Sequence, residues 1–493
     1  MERGTQRRQT PSCDGVTVPG LECHGRQTAI ETKGPILARP SSQHADVAIV
    51  GAGPTGATAA IAFARRGARV VLVDGYPGAV NRFAGEWVHP PGVRALRRLG
   101  VDVGALAARE GHGFAIFGDD DGDPVCLPYD GEVAIARLHS ELVTHLRENA
   151  CGHAAVRYLR SHVFVGLDGN TLYLEDREHG RVVRVRADRI LGADGRSSKV
   201  RAALDPAADG QQLSYMAGLE LEDAPLPFEG LGHVFLGGPG PALLYRVDEH
   251  RVRACLDIPV RHSGAARSSE AVYRAFSRVF PPQLEPALRA AVKRRISWAA
   301  TGVRTRRLFG KGNVWLAGDA IGHVHPLSGV GITLGVLDAE AAAHADSLDA
   351  YREERDAHVA EVLANVLYLA FSRMDASAVR VRHGLLRMLR ASAFERRRTM
   401  RLLTGDDRAR ASFADAFLRA SGQVAWSGAE RSVSRRQSWR DWGRQLRSDA
   451  GWLTWPLRAY APSIDLGLVR RALAERAQPI VHRRSFDHQR SIA

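Results

Sequence analysis

The chain has 493 residues, enough for two to four domains of ordinary size. With 45% hydrophobic and 25% charged residues its composition is that of a globular protein, which excludes disordered, collagen-like and disulfide-scaffold classes. No run of 18 uncharged apolar residues occurs, and residues 1–9 lack the apolar core of a signal peptide. We therefore expect a cytoplasmic protein.

The net charge of +14 is confined to one end of the chain. Residues 371–493 carry 25 Arg and 11 Asp or Glu, so the whole excess lies there. Nucleic-acid binding requires a recognised module or a basic face with ordered aromatic residues, and the sequence has neither, so we expect no nucleic-acid partner. The five cysteines are widely spaced without a C-x-x-C pair, and histidines and acids do not cluster at ligand spacing, so we expect no metal site.

The first elements in chain order predict a nucleotide-binding unit. Residues 1–44 are rich in Gly, Ser, Thr, Gln and Pro and predict a disordered leader. Val47 to Val50 is a short apolar run, followed by GAGPTG and an Ala-rich helical stretch that ends at Arg66. A second apolar run ends at Asp74, so the pattern is strand, glycine turn, helix, strand.

The pattern changes twice further along the chain. A strand at 189–191 runs into GADGRSS, and then four short alternating segments predict an antiparallel sheet, at 215–221, 233–236, 242–247 and 252–258. A buried strand returns at 314–319, an Ala-rich helix follows at 331–348, and the remainder is helical in pattern. The nucleotide domain is therefore predicted to be discontinuous, with the antiparallel sheet inserted into it.

The glycine turn carries the residues that dinucleotide binding needs. Gly51 allows a tight turn, Gly53 lets the backbone approach a pyrophosphate, and Gly56 allows close helix packing. Asp74 follows Gly51 by 23 residues, the position of a carboxylate that accepts from a ribose. The remaining candidates of this unit are Pro54, Thr55 and Gly75.

Two later motifs decide which dinucleotide is expected. Asp194 lies in GADGRSS, and Asp319 lies in AGDA, ahead of HPLSGVG. Together with GAGPTG they resemble the three-motif pattern of the single-component FAD-dependent monooxygenases, the superfamily of para-hydroxybenzoate hydroxylase. The resemblance implies FAD as cofactor, with Asp194 where FAD and the nicotinamide approach and Asp319 at the ribityl chain.

The turn of the third motif supports an anion site on physical grounds. Pro326 and Gly329 lead into a helix at Gly331, so backbone N–H groups and the positive end of the helix dipole face one side. A reduced flavin carries negative charge, which such a turn stabilises. We take these three residues as cofactor-binding candidates.

A narrower resemblance covers the segment from Asn81 to Val93, which reads NRFAGEWVHPPGV. It is similar to the squalene monooxygenases, in which an arginine, a Gly-Glu pair and a Pro-Gly turn precede a helix. The segments ALLYRV and LDIP resemble the same family. The resemblance implies cofactor contacts by the residues Arg82, Trp87, Arg137 and Ile332.

The chain also departs from that family. His89 stands where a glutamine is expected, Val330 replaces a glycine, and the family's N-terminal membrane segment is missing, so squalene itself is not the expected substrate. Trp87 and His89 are candidates for the substrate pocket. No acid–base partner is identifiable for His89, His323 or His325, so no catalytic residue is assigned.

These resemblances imply an α/β fold whose Rossmann-like FAD-binding domain is interrupted by a substrate-binding sheet. The predicted ranges are a leader at 1–44, the FAD-binding domain at 45–205 and 300–350, the substrate-binding β-sheet domain at 206–299, and a basic helical C-terminal region at 351–493. The implied reaction inserts one oxygen atom, by epoxidation or hydroxylation, into an apolar isoprenoid or polyketide-type molecule. NADPH or NADH is the electron donor and dioxygen the co-substrate.

Three alternatives use the same motifs. A flavin-dependent reductase of the geranylgeranyl reductase type would saturate double bonds without oxygen, and a redox sensor would bind flavin without turnover. A halogenase is disfavoured because the chain has no Trp-x-Trp-x-Ile-Pro segment.

The basic C-terminal region allows two interpretations. Val381, Leu385 and Leu389 recur at helical spacing among arginines, and five tryptophans follow, at positions 426, 439, 442, 452 and 455. Basic amphipathic helices with tryptophan are typical of peripheral attachment to the inner face of a membrane. The same pattern also fits helices that pack on the catalytic body with arginine facing water. The sequence does not determine the oligomeric state.

Overall fold

The computed structural model describes residues 43–78, 83–206, 211–266, 268–356 and 358–434. Its strands in chain order are β1 Gln43–Val50, β2 Val70–Val73, β3 Trp87–Val88, β4 Arg109–Gly111, β5 Gly113–Phe117, β6 Val125–Pro128, β7 Ala134–Ala136, β8 Val156–Leu159, β9 His162–Asp168, β10 Thr171–Asp176, β11 Arg181–Gly192, β12 Gln211–Glu222, β13 Leu231–Phe235, β14 Ala242–Arg246, β15 Arg251–Pro259, β16 Ser297–Val303, β17 Gly310–Lys311 and β18 Val314–Leu316.

The α-helices fall between the strands and then dominate the C-terminal part. They are α1 Pro54–Arg65, α2 Pro90–Arg98, α3 His139–Cys151, α4 Lys199–Leu204, α5 Ser269–Phe276, α6 Glu285–Arg294, α7 Gly331–His344, α8 Leu348–Glu354, α9 His358–Ser372, α10 Ala376–Ala391, α11 Ala393–Thr404 and α12 Arg410–Ser434. Short 3₁₀ turns cover Val260–Ala266, Pro282–Leu284, Gly318–Ala320 and Pro326–Ser328.

The first sheet holds the nucleotide unit. Within the described ranges its central order is β17-β18-β11-β1-β2-β8, in which β1 is parallel to β2 and to β11. β2 is buried at every position, as expected for a parallel strand covered by helices on both faces. β18 pairs in parallel with β11 although more than a hundred residues separate them, so the predicted discontinuous Rossmann-like domain is confirmed.

The second sheet is mainly antiparallel, in the order β16-β12-β15-β14-β13-β5-β6 over the part of the chain that the structure describes. The antiparallel pairing of β12 with β15, β15 with β14 and β14 with β13 confirms the predicted inserted sheet. β5 and β6 also belong to it, because β5 pairs in parallel with β13. The predicted range of the FAD-binding domain, 45–205, includes both strands, so the sequence assigns them to the other layer. An Asp-rich loop separates the two strands, so the apolar pattern of the sequence does not show that they pair.

The helices α9 to α12 include part of the basic region. Arg382 on α10 is completely buried and forms an ion pair with Asp119 in the loop between β5 and β6. Arg390 donates two bonds of 2.7 Å to Asp120 in the same loop, and Leu386 and Leu389 join the core of the second sheet. These helices therefore pack on the body, as one of the two interpretations predicts, but Arg382 is buried instead of facing water as that interpretation also predicts.

Trp439, Trp442, Trp452 and Trp455, on which the membrane interpretation also depends, lie outside the described residues. No helix in the described ranges is both long enough and apolar enough to cross a membrane.

Candidate active site

The three sequence motifs meet at the carboxyl ends of β1, β11 and β18. A Cβ added to Gly51, which has φ +99°, would lie 2.5 Å from the carbonyl oxygen of Ala193 in the second motif. A Cβ on Gly318, in the third motif, would lie 2.5 Å from Oγ1 of Thr55. Contacts this close leave no room for a Cβ, so the glycine positions allow the motifs to converge.

The start of α1 is open toward the space above these strands. Gly53 is the N-cap residue, no side chain caps the helix, and a Cβ on Gly53 would meet no atom within 4 Å. Pro54 occupies the first helical turn, where its missing N–H is no loss. Free N–H groups at a helix start, next to a glycine with open space, fit a pyrophosphate.

Asp74 is held at the end of β2 by its neighbours. The N–H of Ala52 donates to Asp74 Oδ2 at 2.8 Å, and Arg147 Nη2 donates to the same oxygen at 3.0 Å. Arg147 Nε also donates to the carbonyl oxygen of Ala52 at 2.7 Å. Arg147, on α3, thus ties the predicted ribose acceptor to the glycine turn. Sequence analysis missed it because a single arginine on a helix gives no signal.

The two later acids have different surroundings. Asp194 accepts from Ser198 Oγ and from the N–H groups of Lys199 and Val200, so both its oxygens are occupied at the start of α4. Burial raises the pKa of Asp194 above its usual value. Asp319 is more exposed and lies 3.4 Å from Arg196 Nε.

A buried ion network holds the backbone of the third motif in place. Asp338, on α7, is completely buried and accepts from Arg306 Nη2 at 2.7 and 2.8 Å and from Arg355 Nε at 2.8 Å. Its Oδ2 also accepts from the N–H of Gly318 at 2.8 Å. Burial alone would raise the pKa of Asp338, but the two guanidinium groups hold it below its usual value. The network therefore fixes the turn that carries Asp319.

The turn before α7 lies against the segment that the squalene monooxygenase resemblance singled out. Gly329 has φ +64°, and α7 begins at Gly331 without a side-chain cap. A Cβ on Gly85 would lie 3.3 Å from Cδ1 of Ile332, so these two residues pack directly. Ile332 therefore lies against the Gly85 segment, and Pro326 lines the same cavity as Gly85.

A chain of hydrogen bonds connects Trp87 to this turn. Trp87 Nε1 donates to the hydroxyl of Tyr129 at 3.1 Å, and that hydroxyl lies 2.7 Å from Nδ1 of His89. His89 Nε2 lies 3.0 Å from the carbonyl oxygen of Ser328, which can only accept. Nε2 therefore carries the proton and Nδ1 accepts, so His89 is a neutral residue that positions the turn.

Burial lowers the pKa of His89 to about 4, whereas an unfolded chain has a value of about 6.5. The unfolded state therefore binds the proton more readily, and this site costs up to about 3 kcal/mol of folding stability as the pH falls from 6.5 to 4. Glutamine offers one donor and one acceptor but does not titrate. We expect His89→Gln to match the wild type at pH 7.5 and to lose less stability by pH 5.

Urea unfolding at pH 7.5, 6.5 and 5 measures this difference. Buried His233, whose pKa burial also lowers to about 4, remains in both proteins and cancels in the comparison. Equal losses in the two proteins would show that His89 does not resist protonation in the folded state.

A mainly apolar cavity lies between the turn and the second sheet. Its lining includes Phe83, Gly85, Trp87, Phe114, Met216, Leu243, Cys255, Ala299, Pro326, Leu327 and Gly329. Of the two pocket candidates, Trp87 lies on the wall of this cavity, whereas His89 is fully buried behind it. Glu86 accepts from Arg253 at 2.7 and 2.8 Å, and this buried pair joins the Gly85 segment to β15.

The remaining predicted cofactor residues are Arg82 and Arg137. Arg82 is outside the described residues. Arg137 forms an ion pair with Glu141 and lines an open cleft that also includes Arg109, Asp248 and Arg251.

Comparison with known proteins agrees with this geometry. A family model described as "FAD binding domain" matches residues 44–366, which is most of the described chain. The chain belongs to this FAD-binding family. The predicted cofactor FAD is therefore confirmed.

Several curated proteins similar to this chain are named squalene epoxidases. Squalene epoxidase ERG1 from Candida albicans is 27% identical over 358 residues, which cover 61% of this chain and 71% of that protein. Squalene epoxidase 3 from Arabidopsis thaliana is 28% identical over 330 residues, covering 63% of this chain and 61% of that protein. Across such relatives this chain spans between 50% and 71% of their length.

A solved structure that is similar to this chain has the same fold. PqsL, described as a probable FAD-dependent monooxygenase from Pseudomonas aeruginosa, is 25% identical with a TM-score of 0.54. The match covers 76% of this chain and all of that one. Together these findings confirm the predicted superfamily and the enzyme class of FAD-dependent monooxygenase.

Proposed function

We propose that the chain inserts one oxygen atom, by epoxidation or hydroxylation, into an apolar small molecule of isoprenoid or polyketide type. The observation that supports this most is the cavity, whose one wall is the turn at Pro326 to Gly329 and whose other wall is the second sheet. A substrate in it would lie directly beside the cofactor motifs. Its apolar lining favours an apolar molecule.

The proposal assigns FAD to the site formed by the three motifs, with domain ranges as the sequence predicts them apart from β5 and β6. FAD, when bound, supplies the chemistry that activates dioxygen, with NADPH or NADH as electron donor. The residues proposed to hold it are Gly51, Gly53, Pro54, Thr55, Gly56, Asp74, Gly75, Arg82, Trp87, Arg137, Asp194, Asp319, Pro326, Gly329, Gly331 and Ile332.

The chain's own residues bind, orient and exclude water. The open start of α1 receives the pyrophosphate, and the start of α7 offers N–H groups to negative charge on the flavin. Leu243, Met216 and Trp87 exclude water from the cavity, which strengthens every electrostatic interaction inside it.

The rival functions differ in whether they need dioxygen and in whether they need a substrate cavity. A reductase of the geranylgeranyl type would use the same fold without dioxygen, and a sensor would need no substrate cavity. The names of the relatives favour oxygenation over reduction. The apolar cavity beside the motifs favours an enzyme over a sensor.

The test is mass spectrometry of an apolar cell extract after incubation with the purified protein, FAD, NADPH and isotopically labelled dioxygen. We expect a product that carries one labelled oxygen atom, together with faster NADPH oxidation when the extract is present. A product that had gained two hydrogens without label would instead establish the reductase. No change in any compound would favour the sensor.

We also propose peripheral membrane attachment through the basic C-terminal helices. Phe394 on Arg-rich α11 and Leu418 on α12 are 62% and 64% exposed, which suits contact with an anionic lipid surface. Co-sedimentation of the full chain with anionic vesicles, but not with neutral ones, is the expected result. Equal recovery in both pellets would contradict it.

A further inference from the structure

The lining of the mainly apolar cavity includes Asp257, Thr301 and His325, which we call its polar end, and also the charged residues Glu86 and Arg196. Asp257 lies on β15 and Thr301 on β16, the two strands that flank β12 in the second sheet. Ser214, on β12, is the direct cross-strand neighbour of Thr301, and its Oγ lies 3.3 Å from His325 Nε2. The polar groups thus converge from three strands and the turn.

His325 is fixed in one orientation. The N–H of Leu327 donates to its Nδ1 at 3.3 Å, so the proton is on Nε2, which lies 3.1 Å from Asp257 Oδ1. The imidazole ring stacks on Tyr368 with 3.6 Å between centroids. One oxygen of Asp257 is therefore occupied, and the carboxyl group is held in place.

The second carboxyl oxygen of Asp257 has no hydrogen-bond partner among the described residues. Asp257 Oδ2 and Thr301 Oγ1 have no hydrogen-bond partner within the described ranges, although each residue is only 1% exposed. A Cβ on Gly240 would lie 2.6 Å from Asp257 Oδ2, so only glycine fits beside this oxygen on that side. Leaving a buried polar group unpaired costs about 1–3 kcal/mol, so each such group calls for a partner, which a bound molecule can supply.

We propose, on the basis of the monooxygenase function above, that the substrate is an apolar molecule carrying one hydroxyl or amino group, which donates to Asp257 Oδ2 and contacts Thr301 Oγ1. The rest of the substrate lies against the apolar walls. Asp257 and Thr301 then determine specificity, because a pure hydrocarbon leaves both groups unpaired. Such a site discriminates strongly against analogues that lack the polar group.

The test compares geraniol with myrcene, a hydrocarbon of the same carbon number without the hydroxyl. Their dissociation constants are measured on the FAD-loaded full chain from the change in flavin absorbance. We expect geraniol to bind at least about tenfold more tightly than myrcene. Thr301→Val keeps the shape but removes the hydroxyl, so this ratio should fall at least about threefold while myrcene binding is retained.

Asp257→Asn gives a sharper test because it changes the direction of the hydrogen bond. The proton on His325 Nε2 requires the amide oxygen, which leaves the amide NH₂ facing the cavity. The preference should then shift from geraniol to geranial, the aldehyde, which only accepts. Cys255→Ala, on the same strand and the same cavity wall, is the matched control and should change geraniol and myrcene binding equally.

Several results would overturn this inference. The first is equal binding of geraniol and myrcene by the wild type, including no binding of either. The second is a wild-type preference for geranial over geraniol. The third is a ratio of geraniol to myrcene affinity that Thr301→Val leaves unchanged. If Asp257→Asn does not fold, the Thr301→Val result still tests whether the polar end determines specificity. Ligand-stimulated NADPH oxidation is measured in parallel. If the ligands stimulate NADPH oxidation but geraniol is not preferred over myrcene, only the role of the polar end is refuted. If no ligand stimulates NADPH oxidation, the monooxygenase function is refuted.

Discussion

A Gly53→Ala variant is expected to fold like the wild type and yet to purify with less than about a tenth of its FAD. The backbone of Gly53 is in an ordinary extended conformation, with φ −72°, and an added Cβ meets no protein atom within 4 Å. The methyl group would occupy only the space where the pyrophosphate approaches the start of α1. A tenfold loss of affinity corresponds to about 1.4 kcal/mol.

Flavin absorbance per protein, with thermal unfolding of the apoprotein, measures both parts of this expectation. Gly56→Ala is the contrasting variant, because its Cβ would lie 1.8 Å from the carbonyl oxygen of Gly51. Moving backbone atoms away from the added methyl group costs much free energy, so the Gly56→Ala apoprotein itself should be destabilised by about 3 kcal/mol or more. Full flavin content in Gly53→Ala would show that the pyrophosphate does not lie there.

Asp338→Ala should have the largest effect on stability of any single change outside the glycine turn. It leaves Arg306 and Arg355 without their shared partner, and both guanidinium groups are more than nine-tenths buried. Removing one member of a buried ion network costs about 3–5 kcal/mol. It also releases the N–H of Gly318, so we expect flavin content to fall together with the free energy of unfolding.

Urea unfolding and flavin content of the same preparation check this result. Glu340→Ala is the matched control on the same helix, because Glu340 pairs with the exposed Arg98 and should contribute less than about 1 kcal/mol. If Asp338→Ala lost no more stability than Glu340→Ala, the network would not be what holds the third motif.

The sequence predicted the parts of the site that depend on the backbone. Glycines at Gly51, Gly53 and Gly56 with an acid at Asp74 form a pattern because only glycine permits the close approaches involved. The order of the later motifs then placed Asp194 and Asp319 at neighbouring strand ends. These inferences needed only local pattern and the geometry of parallel strands.

The remainder depends on contacts between residues far apart in the chain. Arg147, Asp338 and Asp257 each act through partners more than fifteen residues away, and none belongs to a repeated spacing. β5 and β6 are short strands whose partner sheet is formed mostly by residues a hundred positions later. Periodicity indicates that such segments are strands but not which sheet they join.

The discontinuous first sheet also sets the order in which the protein can mature during synthesis. β18, the turn with Asp319 and the start of α7 all follow the inserted sheet in the chain, and Gly318 must reach Thr55 to complete the pocket. Until the ribosome has released residues through α7, α1 and β11 lack the neighbours that cover them. We therefore expect flavin capture to be a late event, and nascent chains that stop before α7 to expose apolar surface that chaperones recognise.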